Sequence, residues 1–149
     1  MIRCQINRIF LLIVAGFFLA GGSHLSAQNL VTNGGFESGL TGWTNNTSGG
    51  AGASFSLETV QPYEGARAMK IAVTNPGAQL HNVQTLGPTF TLPTGSPTTV
   101  TFRARAAAAG TTVRFVLQTN NYRQKEFTLS TSWEYYSWSH TTDENNPRL

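Results

Sequence analysis

From residue 53 onward, apolar and polar residues alternate in short runs separated by turn-forming residues. In "ASFSLET", Phe55 and Leu57 fall on one side and Ser54, Ser56 and Glu58 on the other, which is the period of a strand with one buried face. "AMKIAV" repeats the pattern with Met69, Ile71 and Val73, "TVTFRARA" with Val100, Phe102 and Ala104, "TVRFVLQ" with Val113, Phe115 and Leu117, and "EYYSWSH" with Tyr136 and Trp138. The intervening "TNPGA", "LPTGSPT", "AAAAGT" and "QTNNY" are rich in residues that favour turns. "RAAAAG" has the propensity for a helical turn, but its strand neighbours favour a strand-to-strand loop. Helical periodicity is almost absent elsewhere. Many short strands predict an all-β fold, an antiparallel β-sandwich with Greek-key or jelly-roll connectivity.

The pattern is different at the start. Arg3 and Arg8 precede an apolar run over residues 9–20, and "SHLSAQ" then offers small residues suited to cleavage. This predicts a secretory signal peptide over residues 1–27, cut after Ala27. A membrane-spanning helix is the alternative, but it needs roughly 20 apolar residues and this run breaks at Gly21 and Gly22. The expected destination is extracellular or periplasmic, with residues 28–149 forming one domain free of the membrane. Cys4 is the single cysteine and belongs to the leader, so packing, with or without a metal, must hold the domain without a disulfide. Ten basic side chains stand against seven acidic ones, and losing Arg3 and Arg8 reduces the net charge to +1. That balance gives no electrostatic case for a nucleic-acid partner.

The stretch "NLVTNGGFESGLTGW", residues 29–43, holds four glycines and sets one carboxylate, Glu37, between Phe36 and Trp43. It resembles the opening of carbohydrate-binding modules of the family 4/9 type, the jelly-roll (galactose-binding-domain-like) modules attached to cellulases and xylanases. "YEGARAMKIAV", "VTFRARAAAAGTTVRFVLQ" and "TLSTSWEYYSWSH" resemble later strands of that family, in order. The resemblance implies a non-catalytic module that binds β-linked xylan or glucan along a groove and carries a structural calcium ion. Glu37 matches the family's calcium-binding carboxylate, with Phe36 and Trp43 as core anchors. Calcium takes six to eight oxygens, many of them backbone carbonyls of irregular loops, which suits a glycine-rich turn with one acid. A solvated turn acid, or an acceptor for loop amides, is the plainer reading of Glu37. The family's second acid, an Asp of the final strand, has no counterpart, and Asp143 lies in the loop before it. "SHTTDENNPRL" reads as a polar turn entering another strand, so the sandwich is expected to lack its last strand through C-terminal truncation.

Sugar recognition needs flat aromatic surface for the pyranose face and polar groups for the hydroxyls. By the resemblance, Tyr122 takes the position of one stacking aromatic, and His81, or Leu80 with a one-residue slip, takes the position of a second. Gln84 matches a family residue that bonds sugar hydroxyls. Strand alternation turns Arg114, Val116 and Gln118 toward the groove, and Asn82 shares a face with Gln84. Asn120 and Asn121 are ligands or turn formers. Arg103 and Arg105 read as a solvated face rather than a ligand clamp, Trp43, Trp133 and Trp138 as core, and "NNTS" at residues 45–48 as loop composition. Glycoside hydrolysis needs two carboxylates about 5–10 Å apart, and the spacing of Glu37, Glu58, Glu64, Glu126 and Glu134 suggests no such pair. The chain itself is therefore expected to be no enzyme but the N-terminal part of a glycoside hydrolase whose catalytic domain lies beyond Leu149. An adhesive or structural sandwich without polysaccharide affinity is the rival.

Overall fold

The computed structural model describes residues 2–7, 29–117 and 122–142. Their strands are β1 (Ile2–Asn7), β2 (Thr44–Thr47), β3 (Gly52–Glu58), β4 (Ala68–Asn75), β5 (Val83–Leu86), β6 (Pro97–Ala104), β7 (Thr111–Leu117), β8 (Arg123–Leu129) and β9 (Glu134–Thr141). They form a five-stranded sheet in the order β3-β4-β1-β6-β9 and two ribbons, β2-β5 and β7-β8, with every ladder antiparallel. The only helical element among the described residues is a single 3-10 turn, Leu80–Asn82, and no described helix is long and apolar enough to cross a membrane.

Alternation explains the core. On β6, Val100, Phe102 and Ala104 are buried together. The ring of Phe102 stacks at 4.0 Å on Phe115 of β7 and at 5.1 Å on Tyr136 of β9, and meets Phe127 of β8 edge-on at 5.0 Å. The β7-β8 ribbon thus covers one face of the five-stranded sheet, giving the expected antiparallel β-sandwich. Burying each such side chain contributes about 1.5–3 kcal/mol, and each well-oriented aromatic pair adds about 0.5–1.5 kcal/mol. Val73, expected on the buried side, is exposed. Past Met69, the residue opposite Ile2, β4 pairs with β3 alone, so the sheet is only two strands wide there.

Two strands escape the alternation pattern. β2 reads "TNNT" and has no apolar residue; the "NNTS" read as loop composition is largely this strand, where Asn45 Oδ1 accepts a hydrogen bond from Thr85 Oγ1 at 2.8 Å. β8, "RQKEFTL", signals only through Phe127 and Leu129. "RAAAAG" is a loop between β6 and β7, as its neighbours imply.

The centre of the sheet is the least anticipated part. β1 pairs with β6 along its whole length, from Ile2 opposite Ala104 to Asn7 opposite Thr99, and reaches β4 through Ile2 and Met69. These six residues belong to the segment read as a leader; in the full chain they fill the middle position between β4 and β6.

Candidate functional site

The loop over residues 29–43 is organised by Asn33, a residue given no part in the sequence reading. Its side-chain amide donates to the carbonyls of Gly39 (3.0 Å) and Thr41 (2.9 Å), and its Oδ1 accepts from the Ser38 amide (3.0 Å). Its own carbonyl accepts from the Phe36 amide and from Trp43 Nε1. Asn33 takes a left-handed φ of 51°, which Asn tolerates better than most residues, and Phe36 takes 61°. The turn drives the Phe36 ring into the interior, fully buried and 5.0 Å from Trp43. Both rings anchor the loop as expected. "NGGFESG" signals this as an Asn two and three residues ahead of glycine and an aromatic.

Glu37 projects from that turn. Its two carboxylate oxygens accept the Ala66 amide at 3.2 and 3.3 Å, and its backbone carbonyl accepts from Arg67 at 3.3 Å. The acid therefore ties the opening loop to the segment before β4. A lone carboxylate among carbonyl-rich loops fits calcium in the kind of donor, since every available ligand is oxygen. In number, most of the remaining oxygens would have to come from the backbone, since no group of three His, Cys, Asp or Glu side chains gathers among the described residues. Asp143 lies outside the described residues.

The predicted sugar ligands fall on both ribbons. Tyr122 begins the approach to β8, 59% exposed, with a left-handed φ of 40°. Arg114 lies on the outer face of β7, since Val113, Phe115 and Leu117 turn to the core. Its Nε and Nη2 both reach Glu126 Oε1, at 3.1 and 2.6 Å, so it presents itself as half of an ion pair rather than as a lone cation. Val116 and Gln124 are the next pair along that face. Gln118 lies outside the described residues. On the other ribbon, Gln84 is half-buried opposite Asn46, and His81 is exposed in the 3-10 turn leading into β5. An open hollow of about 560 Å³ at the Pro97 and Thr141 end of β6 and β9 includes none of these residues.

Asn82 has a different task from the one expected. It ends the 3-10 turn instead of alternating with Gln84 on a strand, and only 6% of it is exposed. Its Oδ1 accepts the Gln79 amide at 2.8 Å and its Nδ2 donates to Ser48 Oγ at 3.1 Å, while its backbone carbonyl accepts the Ser48 amide. Gly49 and Gly77 pack against this side chain so closely that an added Cβ would stand 2.8 and 2.7 Å from it, and both have positive φ. A buried amide must satisfy its own donors and acceptors, and here the protein does so. Trp133 also departs from expectation: it precedes β9 in a turn, outside the alternation that sends Tyr136 and Trp138 inward, and packs near the surface with Tyr63 and Arg105.

A family of carbohydrate binding domains, CBM_4_9, matches residues 28–149. The chain belongs to this carbohydrate-binding family. Comparison with curated proteins finds no match. Membership makes the sandwich a carbohydrate-binding module and its ligand a polysaccharide; such a domain holds its ligand and does not cleave it. In this module, the surface polar groups on the two ribbons and the exposed ring of Tyr122 are of the kinds that contact sugar hydroxyls and pyranose faces, whereas Asn82 and Asn33 hold the loops between them.

Proposed function

We propose that this module targets a secreted glycoside hydrolase, an endo-xylanase or endo-glucanase, to β-linked plant polysaccharide such as xylan or β-glucan. The observation that carries the reading is the exposed Tyr122 ring at the end of a ribbon whose outer face bears Arg114, Glu126 and Gln124, in a chain of the carbohydrate-binding family. His81 and Gln84 would extend the contact on the second ribbon. Binding of this kind is passive: holding a catalytic partner on insoluble polymer raises its effective substrate concentration, so modest affinity suffices. A preformed sheet keeps the ordering cost low. Within this proposal the leader is cleaved after Ala27, the hydrolase is joined to the module in one polypeptide, and Glu37 supplies the carboxylate of a structural calcium site.

Affinity electrophoresis in gels containing xylan, mixed-linkage glucan, hydroxyethyl cellulose or no polymer tests the reading. Retardation in at least one polymer gel is expected, and Tyr122→Ala should weaken it by about tenfold, since stacking of one ring contributes on the order of 1 kcal/mol or more. Equal mobility of the folded protein in every gel would replace the reading with an adhesive or structural sandwich.

A further inference from the structure

The outer face of the five-stranded sheet carries a second cluster. Because Phe102 and Ala104 turn to the core, Arg103 turns outward, and register sets it directly opposite Tyr135 on β9. Its guanidinium carbon lies 4.1 Å from the ring centroid of Tyr63 and 5.4 Å from that of Tyr135. The loop bringing Tyr63 is fixed in place: Trp133 meets Tyr63 edge-on at 6.0 Å and donates from Nε1 to the Gln61 carbonyl at 3.3 Å, and Arg105 donates to Gln61 Oε1 at 3.1 Å. Tyr63 and Tyr135 nevertheless remain 42% and 55% exposed.

Arg114 pairs with Glu126 and Lys70 with Glu58, but no carboxylate or carbonyl among the described residues accepts from the half-buried Arg103 guanidinium. A guanidinium stacks through its faces and donates through its edges, so stacking against tyrosines leaves the planar fork of N–H groups available. Partly desolvated donors without an acceptor are costly, and the group that best matches the fork is a carboxylate, held by two parallel hydrogen bonds. An exposed tyrosine ring beside that fork suits the apolar face of a pyranose. A uronic acid residue unites both features in one ring.

We propose that Arg103, Tyr135 and Tyr63 form a second glycan site, specific for a carboxylate-bearing sugar residue, on the sheet face opposite the β7-β8 ribbon. The proposal rests on the polysaccharide-binding reading and adds to it an acidic ligand class and a location. The test uses the full 149-residue chain in gels containing polygalacturonate, neutral xylan or poly-glutamate, with free glucuronate or glucose as competitor. Polygalacturonate should retard the protein, glucuronate should release it and glucose should not. Arg103→Gln should weaken that retardation by about tenfold. Arg103→Lys, which keeps the charge and loses the fork, should recover only part of the loss. Tyr135→Ala should weaken it several-fold with folding intact, and Lys125→Gln, a cation outside the cluster, should leave it unchanged. Unaltered polygalacturonate binding in Arg103→Gln overturns the site, as does equal retardation by poly-glutamate, which would mean recognition of anions alone. Binding to neutral xylan without binding to polygalacturonate overturns this proposal only; binding to no polymer, by a folded protein, overturns the polysaccharide reading with it.

Discussion

Asn82→Ala separates a ligand from a loop lock. The substitution removes the acceptor of the Gln79 amide at 2.8 Å and the donor to Ser48 Oγ at 3.1 Å, both in a nearly closed environment. Each hydrogen bond contributes about 1 kcal/mol net, and a partly buried amide left without an acceptor adds to the loss, so the expected destabilisation is about 2–3 kcal/mol. Gly49 and Gly77, packed tightly against the lost side chain, would then border a void. For a domain of this size the melting temperature should fall by on the order of 10 °C. Calorimetric melting measures this, and affinity electrophoresis at 25 °C measures binding by the protein that remains folded, which should stay within twofold of the parent. A normal melting temperature together with lost polysaccharide binding would return Asn82 to the groove as a ligand.

Glu58 gives a pH-dependent prediction: the Val60 amide, first among several influences, holds its carboxyl below the ordinary 4.5. A depressed carboxyl contributes stability that is complete above the ordinary value and lost as pH falls through the folded one; Glu58→Gln should therefore lower the melting temperature at pH 7 and converge with the parent in acid, and a constant difference across pH 3–7 would refute the assignment. If calcium binds at Glu37, calcium at 100-fold its dissociation constant should stabilise by about 2.7 kcal/mol and Glu37→Gln should abolish the shift, whereas identical melting curves with calcium and with chelator would withdraw the calcium proposal. A chain beginning at Gln28 should melt well below the full chain and associate more readily, because it lacks β1; equal melting and a monomer in solution would show that β1 contributes nothing.

The strands that carry one apolar residue at every second position were legible: β3, β4, β6, β7 and β9 all follow from period two. β2 was not, because an all-polar "TNNT" is made a strand by pairing with β5 and not by its own pattern. For the site, the class of ligand was legible through the opening motif, while side-chain tasks were less so. Asn82 reads from sequence as a polar strand residue beside Gln84, and only the approach of Gly49 and Gly77 reveals an enclosed amide. Arg103 and Arg105 read as a solvated face because alternation shows which way a side chain turns and cannot show that Tyr63, forty residues earlier, will lie against it. Trp133 misled for the related reason that it stands one residue outside its strand, where alternation no longer applies.

The middle of the sheet joins the two main readings of the chain. β4 and β6 are both antiparallel to β1 and so run parallel to each other, with one strand's width between them. If the leader is removed, β6 loses its partner from Thr99 to Ala104 and β4 loses one at Met69 alone, across a gap of about 10 Å, twice the spacing of neighbouring strands. Direct closure would require β4 and β6 to pair in parallel after shifting by a full strand width, and would pull Phe102 away from Phe115, Phe127 and Tyr136, which hold it from the ribbon and from β9. The gap is therefore better filled than closed, and the register specifies what fills it: six residues, antiparallel to β6, with Ile2, Cys4 and Ile6 opposite Ala104, Phe102 and Val100. Sheet edges of this kind bind extended peptides through the backbone, with side-chain alternation setting specificity. A synthetic peptide with the sequence of residues 2–7, added to the chain beginning at Gln28, should raise its melting temperature toward that of the full chain, and a peptide with its apolar and polar positions exchanged should not. If both peptides act alike, or neither acts, the central position has no demand for a matched strand, and the export reading no longer conflicts with the sheet.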